Sequence, residues 1–279
     1  MGRGDRESRD SPAVKFDFTV VDSHVHVFLK DMPHIPDPRH RIAYDFSGAQ
    51  LLEALDRHGV ERAVIAAASP YGDYNDYTIA CTRGSERLRG TVILEPTVEK
   101  YTLDAMARDG IVGVRLPYIS LRQLPDLTGF EQQRTLRRIA DLGWHVHLHL
   151  DGPRLPQVLP ALEKAGVKLV IDHFGRPDPK AGVNCTGFQA MLRLMENNRT
   201  WVKVSAAYRI GEELAARCGR ELLKQAGDER LMWASDCPFV GHEKEMQYQR
   251  AIDAVLEWLP ETSRHKVFGE NALRLIYGI

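Results

Sequence analysis

Two histidines one residue apart, a histidine just before a glycine turn, and an aspartate just before a proline are the groups best placed here to do chemistry together. His24 and His26 lie in the run from Val20 to Phe28. Residues two apart on a strand point to the same face, so both imidazoles can enter one space. That pairing suits metal ligation or joint polarisation of one carbonyl. His173 follows Val170-Ile171-Asp172, and Gly175 lets the chain turn away after it. Asp236 follows Met232-Trp233-Ala234-Ser235, and Pro238 stops the strand from continuing. Each group has a bland alternative: polar residues on a solvated strand, a loop-capping histidine, an ordinary turn aspartate. All three landing at strand ends by accident is the weaker account.

The elements that must position them read as short β-branched runs alternating with amphipathic segments. Eight strands are expected near Phe18–Val25, Arg62–Ala68, Arg89–Leu94, Ile111–Leu116, Trp144–Leu150, Lys168–His173, Trp201–Ser205 and Leu231–Ser235. Several are apolar on both faces, as parallel strands covered by helices are. Helices are expected at Ala49–His58, N-capped by Ser47 and ended by Gly59, and at Phe130–Leu142. Others are expected at Leu155–Ala165, kinked or delayed by Pro160, at Phe188–Asn197, Glu212–Gln225, His242–Trp258 and Ser263–Tyr277. Repeated β-then-α order implies parallel strands with right-handed crossovers. Eight units favour a single-domain (β/α)₈ TIM barrel, somewhat distorted, over an open doubly wound sheet. In such a barrel the carboxyl ends of the strands carry the active site.

The chain has 279 residues, near the size of one such barrel, and a formal net charge of −1. That balance gives no reason to expect nucleic acid or an anionic membrane surface as partner. No apolar run approaches a membrane span. Residues 1–15 are charged, lack an apolar core and read as a flexible tail ahead of a barrel over 16–279. Cys81, Cys185, Cys218 and Cys237 show no zinc-knuckle or C-x-x-C spacing, so reduced thiols and a cytoplasmic setting are expected.

The order H-x-H on strand one, histidine ending strand six and aspartate ending strand eight resembles the amidohydrolase superfamily. The segments Asp22–Phe28, Asp172–Pro177 and Trp233–Phe239 are similar, more narrowly, to its lactonase branch, which opens dicarboxylate, sulfonated and sugar-acid lactones. The resemblance runs from about Val20 to Tyr277. It implies Asp236 as general base and His24, His26 and His173 as carbonyl-polarising or metal-binding groups. It also implies Arg115, Arg176 and Arg209 as cationic substrate anchors, with Arg122 a fourth from a loosely aligned loop. Binuclear members carry a carboxylated lysine on strand four. Here that strand carries Arg115, while Lys203 lies on strand seven, so a binuclear centre is not expected. Strand five holds His145, His147 and His149, and mononuclear members use a strand-five histidine as ligand. The cofactor expectation is therefore either none or one divalent metal, zinc foremost, held by His24, His26, His149 and Asp236. His145 and His147, deeper, are expected to be satisfied interior histidines.

Lactone hydrolysis needs a water nucleophile, a base, a polarised carbonyl and a proton for the leaving ring oxygen. Asp236, with a pKa raised by desolvation, can serve as the base. The arginines point to an anionic substrate, since guanidinium forks hold carboxylates bidentately. The bland alternative for Arg115 is an internal ion pair with a carboxylate such as Glu95. Ser69 and Tyr208, then Tyr71 and His242, follow strand ends as hydrogen-bonding candidates. The expected protein is a monomer or small homo-oligomer acting on a small anionic lactone. A metal-dependent decarboxylase, a sugar-acid lactonase and a non-catalytic anion-binding barrel are the competing readings. The absence of G-x-S-x-G disfavours a serine esterase.

Overall fold

The computed structural model describes residues 15–279. The tail expected over 1–15 falls, but for Lys15, outside the described residues. Eight parallel strands form one sheet in sequence order. They are β1 Val21–Val25, β2 Arg62–Ile65, β3 Leu88–Val92, β4 Ile111–Leu116, β5 His145–Leu148, β6 Lys168–Ile171, β7 Thr200–Ser205 and β8 Leu231–Ala234. Beyond the end of β8 the sheet meets β1: Asp236 N donates to His24 O at 3.0 Å, and His26 N donates to Cys237 O at 2.8 Å. Ser23 Oγ donates to Trp233 O at 2.7 Å lower in the same seam. The expected distorted (β/α)₈ barrel is the observed fold, as one domain.

Around it lie α1 Gly48–Arg57, α2 Asp76–Arg83, α3 Lys100–Arg108, α4 Phe130–Asp141, α5 Leu159–Ala165, α6 Thr186–Met195, α7 Ala207–Ile210, α8 Glu212–Ala226, α9 Tyr248–Leu256 and α10 Glu261–His265. Two π turns, Lys266–Glu270 and Leu273–Tyr277, follow α10. Ser47 caps α1 as expected, accepting from Gln50 N while the Gln50 side chain accepts from Ser47 N. Pro160 sits in the first turn of α5, where its missing N–H costs nothing, and delays that helix to Leu159. One expected helix needs correction, and two helices were not expected. The helix expected from His242 starts only at Tyr248, because residues 242–247 form turns. Helices α2 and α3 carried too little apolar periodicity to be read: α2 buries two threonines, Thr78 and Thr82, and α3 buries only Leu103.

The helix-facing sides of the strands join the helices in one continuous apolar core that includes Leu55, Val146, Phe188 and Trp233. A second cluster, with Val21, Val64, Val170, Met232 and Ile276, includes residues of the strands and the C-terminal segment. All four cysteines are free. No helix among the described residues is long and apolar enough to cross a membrane.

Candidate active site

The carboxyl ends of β1, β6 and β8 bring His24, His26, His173 and Asp236 together, all of them buried. His24 Nε2 lies 3.2 Å from His26 Nε2. Asp236 Oδ1 lies 3.5 Å from His24 Nε2 and 3.3 Å from His26 Nε2. The His173 ring centroid is 4.9 Å from that of His24, and its Nδ1 is 2.9 Å from Ser205 Oγ. Three of the residues that shape this mouth have left-handed backbone: His173 (φ 52°), Arg176 (φ 42°) and Asp236 (φ 67°). Side chains of this kind rarely adopt that region, and the surrounding sheet must hold them there. In return the chain turns sharply at each strand end, and the side chain at the turn faces the mouth.

The other carboxylate oxygen of Asp236 is fully engaged. Tyr208 OH donates to Oδ2 at 2.6 Å and Arg209 Nε donates to it at 2.7 Å. Tyr208 is thus a holder of Asp236 and is absent from the pocket wall, contrary to its expected contact with substrate. The expected upward shift of Asp236 is also corrected. Burial does push its pKa up, but the Arg209 guanidinium against Oδ2 overcomes this and holds the carboxyl well below its usual range. In the free protein Asp236 is therefore a firm carboxylate.

The pocket above these groups is lined by His26, Arg39, His40, Ser69, Arg115, His149, His173, Arg176, Arg209 and Asp236, among others. Ser69 and three of the four expected arginines are present. Arg122 is not: it is exposed, and it lies outside the wall. Arg115 is 2% exposed and answers Asp172 (3.4 Å to Oδ2), not Glu95. It also donates to Ala67 O at 2.7 Å, and its Nε has no hydrogen-bond partner. Among the described residues, the Arg176 guanidinium pairs with the half-exposed Asp151 alone, at 3.3 Å. Tyr71 is buried off the pocket wall, and His242 pairs with Glu245 at the surface. Arg39 and His40 were missed by sequence reasoning; they come from the long segment between β1 and α1, which has no periodic pattern to place them.

The residues fit a divalent ion. His26 Nδ1 lies 2.7 Å from Ala66 O and must carry a proton, so the neutral ring has its lone pair on Nε2. His24 Nδ1 faces Asp172 Oδ1 at 3.2 Å, which leaves its lone pair on Nε2 as well. Two lone pairs and one carboxylate oxygen thus converge with edges of 3.2, 3.5 and 3.3 Å. A tetrahedral zinc with ligands at about 2.0–2.1 Å spaces its donors about 3.3–3.4 Å apart. The same three residues form one of two groups able to hold an ion among the described residues. His149 is not in it, which corrects the expected ligand set. Its Nδ1 is 3.4 Å from Arg115 Nη2, and its Nε2 has no partner. The other group is His24, His147 and Asp172. His147, expected to be a satisfied interior residue, instead touches both Asp172 and Lys203, with its Nδ1 unpartnered. Its neighbour His145 packs against Gly113 of β4, where a Cβ would lie 2.6 Å from His145 O.

This density of buried imidazole has a measurable consequence. Burial pushes the pKa of His24, His145, His147, His149 and His173 down, His173 to about 4 and His145 to about 3. On acidification the unfolded chain takes up protons near about 6.5, where these folded imidazoles do not. The unfolded state then binds more protons, so stability rises with pH through this window. Asp22, which burial raises to about 6, acts in the opposite sense below that value, but it is one group against five. The urea midpoint of chelator-treated protein is expected to be lower at pH 5 than at pH 7. An equal or higher midpoint at pH 5 contradicts the buried-neutral assignment.

Comparison with known proteins agrees with the fold. The amidohydrolase family model matches residues 21–278. The chain is 27% identical to a 2-pyrone-4,6-dicarboxylate hydrolase of Comamonas testosteroni, covering 95% of this chain and 92% of that one. It is 26% identical to a 4-sulfomuconolactone hydrolase of Hydrogenophaga intermedia, covering 91% and 87%. A solved Acinetobacter baumannii structure, described as a probable 2-pyrone-4,6-dicarboxylic acid hydrolase with citric acid bound, superposes with a TM-score of 0.89. It is 29% identical and covers 94% of this chain and all of that one.

Proposed function

The chain belongs to the amidohydrolase family, and from that premise we propose that it hydrolyses the ester bond of a small anionic lactone, with Asp236 as the base. The observation that carries this reading is the convergence of Asp236 Oδ1 with two imidazole lone pairs beneath a pocket lined by Arg39, Arg115, Arg176 and Arg209. The named relatives act on a pyrone dicarboxylate and on a sulfonated muconolactone, and another relative is described with citric acid bound. All three molecules are anionic, which agrees with the guanidinium-rich wall.

Asp236 takes a proton from water as the water oxygen attacks the lactone carbonyl, and the bond to the ring oxygen then breaks. The ring oxygen leaves as a hydroxyl with the proton Asp236 had accepted, and the attacked carbon becomes a carboxylic acid. His173 lies on the pocket wall beside Asp236, where the oxyanion develops. When a divalent ion is bound by His24, His26 and Asp236, it supplies Lewis acidity to that carbonyl. Arg209 links binding to chemistry. A substrate carboxylate competes with Asp236 for its guanidinium, and any share it takes raises the basicity of Asp236 when the substrate is in place.

The test is a panel of dicarboxylate, sulfonated and uncharged sugar lactones, run with and without chelator beside elemental analysis. The charged lactones are expected to exceed the uncharged ones in kcat/KM by about 10²-fold or more, as expected when charge-assisted contacts are lost. A preference for uncharged lactones, or release of carbon dioxide in place of ring opening, defeats the proposal.

A further inference from the structure

Four guanidiniums line the pocket, and three of them already face a protein carboxylate. Arg115 lies 3.4 Å from Asp172, Arg176 3.3 Å from Asp151 and Arg209 2.7 Å from Asp236. Arg39 differs: among the described residues no carboxylate pairs with it, and its guanidinium has no hydrogen-bond partner. Its charged surroundings are mostly cations. Burial and the nearby Arg176 and Arg209 push its pKa down, and Asp151, already held by Arg176, acts the other way. A guanidinium in open water needs no partner, but one held beside two others costs free energy until an anion arrives. The segment 29–45 holds it there. Phe28 N donates to Phe46 O and Phe46 N to Phe28 O, both at 2.9 Å, which closes the segment at its base. Ile42, 4% exposed, packs with Phe28 and Tyr71. Ile35 N donates to Pro70 O and Tyr44 OH to Glu243 Oε1, each at 2.9 Å. Arg39 lies between these anchors in the chain and is not one of them.

The hydrolase reading lets one substrate carboxylate reach Arg209. We infer that Arg39 is a specificity-determining residue that takes a second anionic group, so that the pocket selects lactones carrying two negative charges over those carrying one. The inference deepens the hydrolase reading and rests on it. To bind substrate, each paired arginine must share or give up an internal contact, whereas Arg39 gives up only water. A carboxylate or sulfonate against Arg39 makes a charge-assisted pair and screens it from Arg176 and Arg209 in the same step. A lactone without that second charge leaves the repulsion in place. The discrimination therefore has an attractive and a repulsive part.

Two readouts on the full-length protein test this, both at low ionic strength, where such contacts are least screened. The first is kinetic. Arg39→Gln is expected to lose about tenfold or more in kcat/KM on a doubly charged lactone, mainly through KM, and to stay within about threefold of wild type on a singly charged one. Arg122→Gln, which removes the same charge off the pocket wall, should change neither. The second is calorimetric titration with isophthalate and with benzoate, on protein stripped of metal and dialysed free of chelator. Wild type is expected to bind isophthalate about tenfold or more tightly than benzoate, and Arg39→Gln to lose that preference. A folded Arg39→Gln that keeps the preference for two charges overturns the inference, as does a wild type that binds isophthalate no more tightly than benzoate. Equal losses on singly and doubly charged lactones also overturn it, because one carboxylate would then bridge Arg39 and Arg209. So does an equal loss in Arg122→Gln, which would reduce the effect to overall charge. If Arg39→Gln does not fold, the wild-type titrations and Arg39→Lys, expected to keep part of the preference, decide. The kinetic arm needs a lactone-opening enzyme and the titration does not. A protein that opens no lactone yet shows the expected binding would therefore count against the function alone.

Discussion

Asp236→Asn is expected to reduce kcat by about 10³-fold in a protein that still folds, because it removes the proposed base and preserves a shape, at some cost in stability from the ion pair lost with Arg209. The asparagine oxygen can accept from Tyr208 and Arg209 as Oδ2 does now. Its amide N–H groups can donate to the His24 and His26 Nε2 lone pairs that Oδ1 now faces. Every local partner keeps a hydrogen bond, and the crowding of three acceptors is relieved. Steady-state kinetics beside a thermal melt separate the two effects. Activity above about a tenth of wild type, in a variant that the melt shows to be folded, would show that the base lies elsewhere.

The second large effect is on stability. Asp22 is fully buried in the seam between β1 and β8 and accepts four hydrogen bonds. They come from Ser235 Oγ at 2.5 Å, Tyr248 OH at 2.6 Å, Ser235 N at 3.0 Å and His24 N at 3.2 Å. Asp22→Ala strands these donors in a dry interior, each at about 1–3 kcal/mol. Some relaxation is expected, which brings the total to about 3–5 kcal/mol. For a chain of this size that corresponds to a fall in Tm of about 10 °C. The same carboxylate ties the backbone of His24 to Ser235, the neighbour of Asp236, so kcat should fall as well. A melt within about 2 °C of wild type would mean that water or a rearranged Ser235 satisfies these groups. Asp22→Asn should fall between the two, since it keeps one acceptor.

Much of this was legible because buried parallel strands write themselves as apolar runs. Ile111–Leu116 was read with its observed bounds, and the other seven strands differ only by frayed ends. Once the strands are placed, the barrel dictates which ends share a face, and His24, His26, His173 and Asp236 follow. Depth along a strand was not legible. His145, His147 and His149 share one parity, but the pairing of Arg115 with His147 sets the level at which each imidazole sits. That put His147 beside Asp172 and left His149 on the pocket wall. Electrostatic sign was lost in the same way. The sequence points to a buried Asp236, but not to Arg209, on α7, lying against it. Loop residues were hardest: Arg122 faces water while Arg39, with no element to announce it, lines the pocket.

The seam where β8 meets β1 joins the last strand of the barrel to the first, and it is also where His24 and Asp236 come within reach of one another. A ribosome that has delivered the first 230 residues has made every imidazole of the site and no enzyme. The reactive groups stay separated until the ring shuts, and recovered turnover reports that event directly.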